Sequence, residues 1–425
     1  MNDTLILDDS ARSGATAAGT GLYQRLVLAA LGKMTAGSLR LELPDRSVRV
    51  IGTPGGAVDA TLRVVRPAFF RRCVLFGDIG FGESYVEGEW ETDSIARVIS
   101  WAILNLENSP TMSGSRAQNL GLNLLKFYNR ALHGFRPNSP GQARRNIAEH
   151  YDLGNDFYQL WLDPGMTYSA AHFTAPGQAL EDAQTAKYES LCRKLHLKPG
   201  DRVLEIGGGW GGFASHAARR HGCHVTTVTI SQAQYDFARA RFAREGLGDR
   251  VELRLQDFRQ ITGKFDKVVA IEMMEALGDR YLEAFCAKLD EVLTPDGLAG
   301  LQYITVPDTR HEDLRRGVDW IQKHVFPGSI LLSVGRVNET LNRTSNLFLH
   351  DLEDLGASYA RTLHVWWESF NRAREGVQKL GFDDRFVRKW NYYLQYCEAA
   401  FARRNISVVQ AVYTRPNNQR LAAGW

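Results

Sequence analysis

The run Val203-Leu204-Glu205-Ile206-Gly207-Gly208-Gly209-Trp210-Gly211-Gly212-Phe213-Ala214 constrains this chain more than any other stretch. It reads as a buried strand, a glycine-rich turn and the start of a helix, the opening of a βαβ unit. Glycine lets a ligand lie against bare backbone, and a helix start offers free N–H groups and a positive dipole end. The expected ligand therefore carries an anionic group. Two cofactors compete for the pattern. Gly207, Gly209 and Gly212 satisfy the dinucleotide fingerprint G-x-G-x-x-G, which calls for a carboxylate about 20 residues on, at the tip of the next strand. That strand, Val225-Thr226-Thr227-Val228-Thr229, ends without one. Instead Glu205 precedes the glycines, and Gln256-Asp257 follows a third strand, Val251-Glu252-Leu253-Arg254-Leu255. An acid ahead of the glycines balances a cationic amino acid portion, and a polar pair after the third strand reads an adenine. The three strands together favour S-adenosylmethionine (SAM) over a nicotinamide.

A chain of 425 residues has room for two or three domains with substantial cores. Its 44% hydrophobic and 23% charged residues are ordinary for a globular protein. A formal net charge of +3 gives no support to nucleic acid as a partner, although a local basic patch can still meet anionic lipid. No run of about 18 apolar residues is present, and the acidic start Met1-Asn2-Asp3-Thr4 lacks the features of a secretory signal. The five scattered cysteines point to reduced thiols in the cytoplasm and against a disulfide framework or zinc knuckle. His172, His324 and His364 show no metal spacing, so no metal is expected.

Residues 1–20, rich in Ala, Gly, Thr and Ser, are expected to lack order. Residues 21–107 read as a small α+β domain. Within it, alternating runs from Leu39 to Phe76 suggest antiparallel strands, and a helical pattern covers Ser94–Leu106. Residues 108–145 form a connector whose segment Leu120–His133 has apolar residues at helical spacing, with Lys126, Arg130 and Arg136 nearby. Such a helix can rest on a membrane surface or pack its apolar face on the protein. From about residue 180, helix and strand alternate through Leu301, the signature of a doubly wound α/β sheet. Strand four is Lys267–Ile271, strand five lies near Leu298–Ile304, and Val408–Tyr413 is the last. Glu205, Thr229, Asp257, Glu275 and Gln302 fall at or just past strand ends, where such sheets bind ligands.

The segments Asn146–Tyr158, Leu162–Ser169, Ala183–Lys187, the glycine turn with Trp210, Thr229–Gln234 and Tyr392–Phe401 together resemble the cyclopropane fatty acid synthase and mycolic acid cyclopropane synthase family. The likeness runs continuously over about residues 145–415, and Gly82–Trp90 is similar to the N-terminal domain of the longer bacterial synthases. It implies a Rossmann-like class I SAM-methyltransferase sheet over residues 146–425, acting on unsaturated acyl chains of membrane phospholipids to form cyclopropanes. Carried across by position, Tyr168 and Ser169 are expected to touch the methionine end of SAM. Gly207, Gly209 and Gly211 would let it approach the backbone, Thr229 and Gln234 would take the ribose, and Gln256 and Asp257 would flank the adenine. Trp210 belongs to the same turn.

An alkene is a poor nucleophile, so its π bond must be aligned with the sulfonium methyl and shielded from water. Methyl transfer leaves a carbocation, which aromatic faces stabilise. Tyr303, Tyr359, Trp366 and Trp367 are the candidates. A base must then remove a proton. The family resemblance implies a bicarbonate ion, with Glu275, Tyr359 and the backbone of Ile304 at three of its contacts. Cys397 aligns with the cysteine often called the family's active site, although a cysteine in an apolar helix is usually core. Three positions depart from the family pattern: Ala170 follows Tyr168-Ser169 where a cysteine is usual, Ala276 follows Glu275 where a histidine is usual, and Gln302 replaces a strand-five histidine. They put the bicarbonate in doubt and leave open a methylene product, or a methyl branch after a reductase partner acts. Two other readings are a small-molecule N- or C-methyltransferase, since plant alkaloid enzymes share the His150-Tyr151-Asp152 entry, and an accessory SAM- or lipid-binding subunit without activity. Self-association is common among family relatives. Association with the inner membrane face follows from a phospholipid substrate.

Overall fold

Strands buried on both faces read as continuous apolar runs, and Val203-Leu204-Glu205-Ile206 is such a run, none of it more than 3% exposed. In the computed structural model of the protein, which describes residues 10–108 and 153–421, this strand lies inside a seven-stranded sheet. By contact the described chain forms two units, residues 10–108 with 384–399, and residues 153–383 with 400–421.

The first unit opens with helix α1 (Ser10–Leu31), so the second half of the stretch expected to lack order is helical. Strands β1 (Ser38–Glu42), β2 (Val48–Gly52), β3 (Asp59–Val64) and β4 (Trp90–Glu91) form a sheet in the order β2-β1-β3-β4. The expected strands are there, but β3 pairs with β1 in parallel. The run expected to continue as strands to Phe76 is instead helix α2 (Ala68–Val86), bent at Gly77, which adopts φ 59°. Helix α3 (Ile95–Leu104) is capped by the Ser94 side chain.

In the second unit a short helix α4 (Asn155–Gln159) precedes α5 (Leu180–Lys194). Strand and helix then alternate: β5 (Arg202–Ile206), α6 (Gly212–His221), β6 (His224–Thr229), α7 (Gln232–Arg244), β7 (Val251–Leu255), β8 (Phe265–Ile271), α8 (Leu282–Val292) and the long β9 (Leu293–Thr305). Beyond β9 the chain is mainly helical: α9 (Asp308–Arg316), α10 (Trp320–His324), α11 (Val334–Thr344), β10 (Phe348–Asp354), α12 (Gly356–Arg372), α13 (Arg374–Lys379), α14 (Asp384–Ala402) and β11 (Ser407–Thr414). Most of α14 groups with the first unit, where Arg388 Nε donates to Tyr85 O and the Ala96 N–H donates to Gln395 Oε1.

The large sheet runs β10-β11-β9-β8-β5-β6-β7, and β11 lies antiparallel to both of its neighbours. Alternate residues feed two cores. Leu204, Ile206, Val268, Ala270 and Tyr303 pack on one face, and Val203, Val225, Val269 and Leu298 on the other. The carboxyl ends of β5, β6, β7 and β8 consequently open on one edge, bordered by β9. The connector segment 120–133, expected to be helical, and the segment holding His150 and Asp152 lie outside the described residues.

Candidate active site

Three glycines shape the turn after β5. Gly207, Gly209 and Gly211 take φ values of 85°, 52° and 84°, which L side chains rarely adopt. A Cβ on Gly207 would come within 2.6 Å of Met273, whereas one on Gly209 would meet nothing within 4 Å, so that backbone lies bare on a cavity. Helix α6 begins at Gly212 and supplies unpaired N–H groups there. The entry segment locks onto this turn: Trp210 Nε1 donates to Asn155 Oδ1 at 2.8 Å.

The cavity gathers Tyr168, Ser169, Glu205, Gly207, Gly209, Trp210, Thr229, Gln234, Gln256 and Asp257 along its wall. Gly211 is not on that wall. It caps α6, and a Cβ there would strike the Phe242 ring. Thr229 Oγ1 donates to Gln234 Oε1 at 2.9 Å, so the pair expected at the ribose is already joined. Asp257 is held by Arg259 at 2.6 Å, and the Arg259 guanidinium lies over the Tyr281 ring. Helix α5 pins the Tyr168-Ser169 segment: Lys187 Nζ donates to Ser169 Oγ at 2.7 Å, and Gln184 Nε2 to Ser169 O at 3.0 Å. Burial lowers the Lys187 ammonium to about 7, against the attraction of Glu272, Asp163 and Glu205.

The electrostatics of this wall suit SAM. Burial pushes the Glu205 carboxyl up to about 7, although Thr227 Oγ1 donates to it at 2.6 Å and Arg241 and Lys187 attract it. A carboxylate so desolvated gains from a cationic amino group. Tyr168 lines the cavity, and Tyr158, Trp161 and Trp366 pack around its ring with centroids 5.3–5.6 Å away, so an electron-rich cluster backs this part of the wall. Bare glycine backbone and a helix start complete the cradle.

The remaining expected residues divide. Tyr359 joins the aromatic cluster, 6.1 Å from Trp366 and 4.4 Å from Phe401. Tyr303 does not join it. Its hydroxyl meets that of Tyr413 at 3.2 Å inside the core. Trp367 packs on His364, which is exposed. Cys397 is half-buried on α14, in the stretch grouped with the first unit, and is absent from the cavity wall. Glu275 sits half-buried on the turn after β8, and its Oε1 accepts the Ile304 N–H at 2.5 Å. Burial, then the neighbouring Glu272 charge, pushes Glu275 up to about 8, so it is largely protonated at neutral pH.

Sequence reasoning passed over Glu272, the first residue beyond β8 and part of the cavity wall. Its Oε1 accepts the Ala170 N–H and Gln302 Nε2, each at 2.8 Å, and its Oε2 accepts the Tyr359 hydroxyl at 3.0 Å. The rule that selected Glu275, a carboxylate at a strand end, also selects Glu272. Spacing also missed Cys192, His216 and His221, whose ligand atoms lie within 4.8 Å of one another. There Glu189 Oε2 is already hydrogen-bonded to both imidazoles, which accounts for the grouping without an ion.

Comparison with known proteins places this geometry. The profile of the mycolic acid cyclopropane synthetase family matches residues 138–411. Tuberculostearic acid methyltransferase UfaA1 of Mycobacterium tuberculosis is 39% identical over 390 residues, covering 87% of each chain. The cyclopropane-fatty-acyl-phospholipid synthase of Escherichia coli K12 is 36% identical, covering 85% of this chain and 89% of that protein. Among solved structures, mycolic acid cyclopropane synthase CmaA1 complexed with SAH and CTAB superposes with a TM-score of 0.60 at 27% identity, covering 64% of this chain and 98% of that one. The chain, with its glycine cradle, buried Glu205 and aromatic wall, belongs to the mycolic acid cyclopropane synthetase family and is a SAM-dependent methyltransferase.

Proposed function

We propose that the protein methylates the double bond of an unsaturated acyl chain carried by a membrane phospholipid, through a carbocation, and that proton loss then closes a cyclopropane. Bound SAM supplies an electrophilic methyl group on a sulfonium. The chain's own residues do the rest. Tyr168 on the cavity wall, backed by Trp161 and Trp366, which are no more than 2% exposed, offers a dry aromatic surface that stabilises positive charge and keeps water from capturing it. Tyr359 links that surface to the half-buried carboxylate of Glu272 through its ring contact with Trp366 and its hydroxyl bond to Glu272. Glu275 supports the same region as a neutral acid on the Ile304 N–H.

The observation that carries this reading is the joining of aromatic faces and the Glu272 carboxylate by Tyr359 beside the cofactor cavity. An N-methyltransferase needs no cation trap of this kind. The lipid side rests on the E. coli phospholipid synthase, and on the CmaA1 complex with CTAB, a long-chain alkyl ammonium. No helix among the described residues is long and apolar enough to cross a membrane, so access to the lipid would be from the membrane surface.

A second reading, a methylene product that a reductase partner converts to a methyl branch, is favoured by Gln302 in place of a histidine and by the likeness to UfaA1. The test is to incubate the purified protein with methyl-labelled SAM and vesicles of unsaturated phospholipid, then examine the lipid by mass spectrometry and NMR. Ring protons are expected. Vinylidene protons would establish the second reading, and label absent from all lipid would defeat both.

A further inference from the structure

The family resemblance calls for a bicarbonate ion as base, and the residues present do not fit one. Of the contacts the resemblance gives it, the Tyr359 hydroxyl is already taken by Glu272 and the Ile304 N–H by Glu275. Glu272 Oε1 takes the backbone N–H of Ala170 and the Nε2 of Gln302, and Glu272 Oε2 takes the hydroxyl of Tyr359. A second anion would lack these donors and would face the charge of Glu272. We propose that Glu272 is itself the base, a built-in carboxylate standing where relatives need a dissolved ion. The inference rests on the olefin-methylation reading above.

Two further observations support it. Glu272 has φ 48°, in the left-handed region that costs an ordinary residue about 1–2 kcal/mol. Such strain persists where surrounding structure imposes it, and here the Glu272 N–H is held by Gln302 O at 2.7 Å. The backbone is thus held in a conformation that brings this carboxylate to the three donors. The neighbouring carboxyl groups also occupy different environments. Burial raises the Glu272 carboxyl against the pull of its three donors and the Lys187 charge, whereas Glu275 has one backbone donor and is pushed up to about 8. The two neighbouring carboxyls are thus held by different partners, three donors on Glu272 against the single Ile304 N–H on Glu275.

The step balances on the groups present. In the methylated cation a C–H bond of the new methyl breaks, and its proton passes to Glu272, which becomes a neutral acid. The electron pair of that bond closes the ring. After a hydride shift along the chain it forms an exocyclic C=C instead. Both products need a base at the same methyl, so the assignment holds for either product of the second unit's chemistry. No oxidant or reductant is consumed, and the proton later leaves to solvent.

The test compares the full-length wild type, Glu272→Gly and Glu272→Gln in carbon-dioxide-free buffer and with added bicarbonate, using labelled SAM and unsaturated phospholipid vesicles. Wild-type turnover is expected to be indifferent to bicarbonate. Glu272→Gly should lose about 100-fold or more in kcat, in the range of general-base removal, and recover part of it as bicarbonate is added. Glu272→Gln keeps a similar shape and should stay inactive with or without the ion. Calorimetric titration with SAM and thermal unfolding, expected to show that both variants still bind the cofactor and unfold cooperatively, separate lost chemistry from lost folding. A wild type that stops in carbon-dioxide-free buffer and restarts with bicarbonate overturns the assignment while leaving olefin methylation standing. A wild type that labels no unsaturated lipid under any condition overturns both.

Discussion

Gln410 on β11 stands directly across from Gln302 on β9, and its Nε2 donates to Gln302 Oε1 at 3.0 Å. Both side chains are fully buried. The bond fixes which end of the Gln302 amide faces the site, because once its oxygen is occupied its NH₂ must point toward Glu272 and Ala170 O. Gln410 is anchored in turn, its oxygen by Lys194 Nζ at 2.9 Å and its NH₂ also by Lys187 O. Gln410→Leu should free the amide to present oxygen to the carboxylate. We expect kcat to fall about tenfold and stability to drop by about 1–3 kcal/mol from buried groups left unpaired. SAM affinity should stay unchanged, as neither glutamine lines the cavity. Turnover, thermal unfolding and calorimetry check this, and SAM binding lost in step with kcat would contradict it.

Gly209 and Gly211 sit two residues apart and should behave differently. Both have positive φ, so alanine strains each backbone by a similar amount. Only Gly211 meets a wall, the Phe242 ring within 2.6–2.9 Å of a new Cβ, while the Gly209 methyl would enter open cavity. Gly211→Ala should therefore cost mainly stability, and Gly209→Ala should weaken SAM about tenfold or more with a smaller loss in unfolding temperature. Equal effects of the two variants on SAM affinity would argue that the cofactor lies along the whole turn.

What the sequence reveals and what it hides follows from how far apart the determining contacts lie. The β5–turn–α6 unit is legible because its constraints are local: a fully buried run, then glycines whose positive φ the turn requires. The parallel pairing of β3 with β1 and the grouping of most of α14 with the first unit depend on partners far along the chain, so local periodicity is silent on both. Helix α2 was misread because Phe69-Phe70-Arg71-Arg72-Cys73-Val74 has neither a clean alternation nor a clean helical stripe, and Gly77 breaks the period. Glu272 shows the same limit at the site. A carboxylate at a strand end is visible, but its three donors come from residues 30, 87 and 102 positions away. Only the fold shows them converging.

Asn155 ties the entry segment to the glycine turn, accepting from Trp210 Nε1 and donating to Ala233 O at the start of α7. Trp210 is 4% exposed, so its indole N–H has little access to water as a replacement. Asn155→Ala should leave that donor buried and unpaired, at about 1–3 kcal/mol. Because Trp210 lines the cavity, SAM affinity should weaken several-fold as well. Asn155→Asp, which keeps the acceptor oxygen, should restore most of both. If Asn155→Asp behaves like Asn155→Ala, the hydrogen bond is not what matters there.

The protonation of Glu275 makes stability depend on pH in a direction that can be worked out. Burial, with Glu272 beside it, raises its carboxyl from the ordinary range near 4.5 to about 8 in the folded protein. Between those values the folded chain holds a proton that the unfolded chain has released, so unfolding becomes easier as pH rises through that window, and the contribution is fully present only below it. Lys187, lowered by burial to about 7, acts oppositely, but its window lies above 7, where the folded ammonium has given up a proton the unfolded chain keeps. From about pH 5 to pH 7 the Glu275 effect therefore acts without that opposition. Glu275→Gln resembles the neutral acid in shape and does not titrate. Its thermal midpoint should decline less than that of the wild type over this range, and parallel pH profiles for the two proteins would show that Glu275 is not held protonated by the fold.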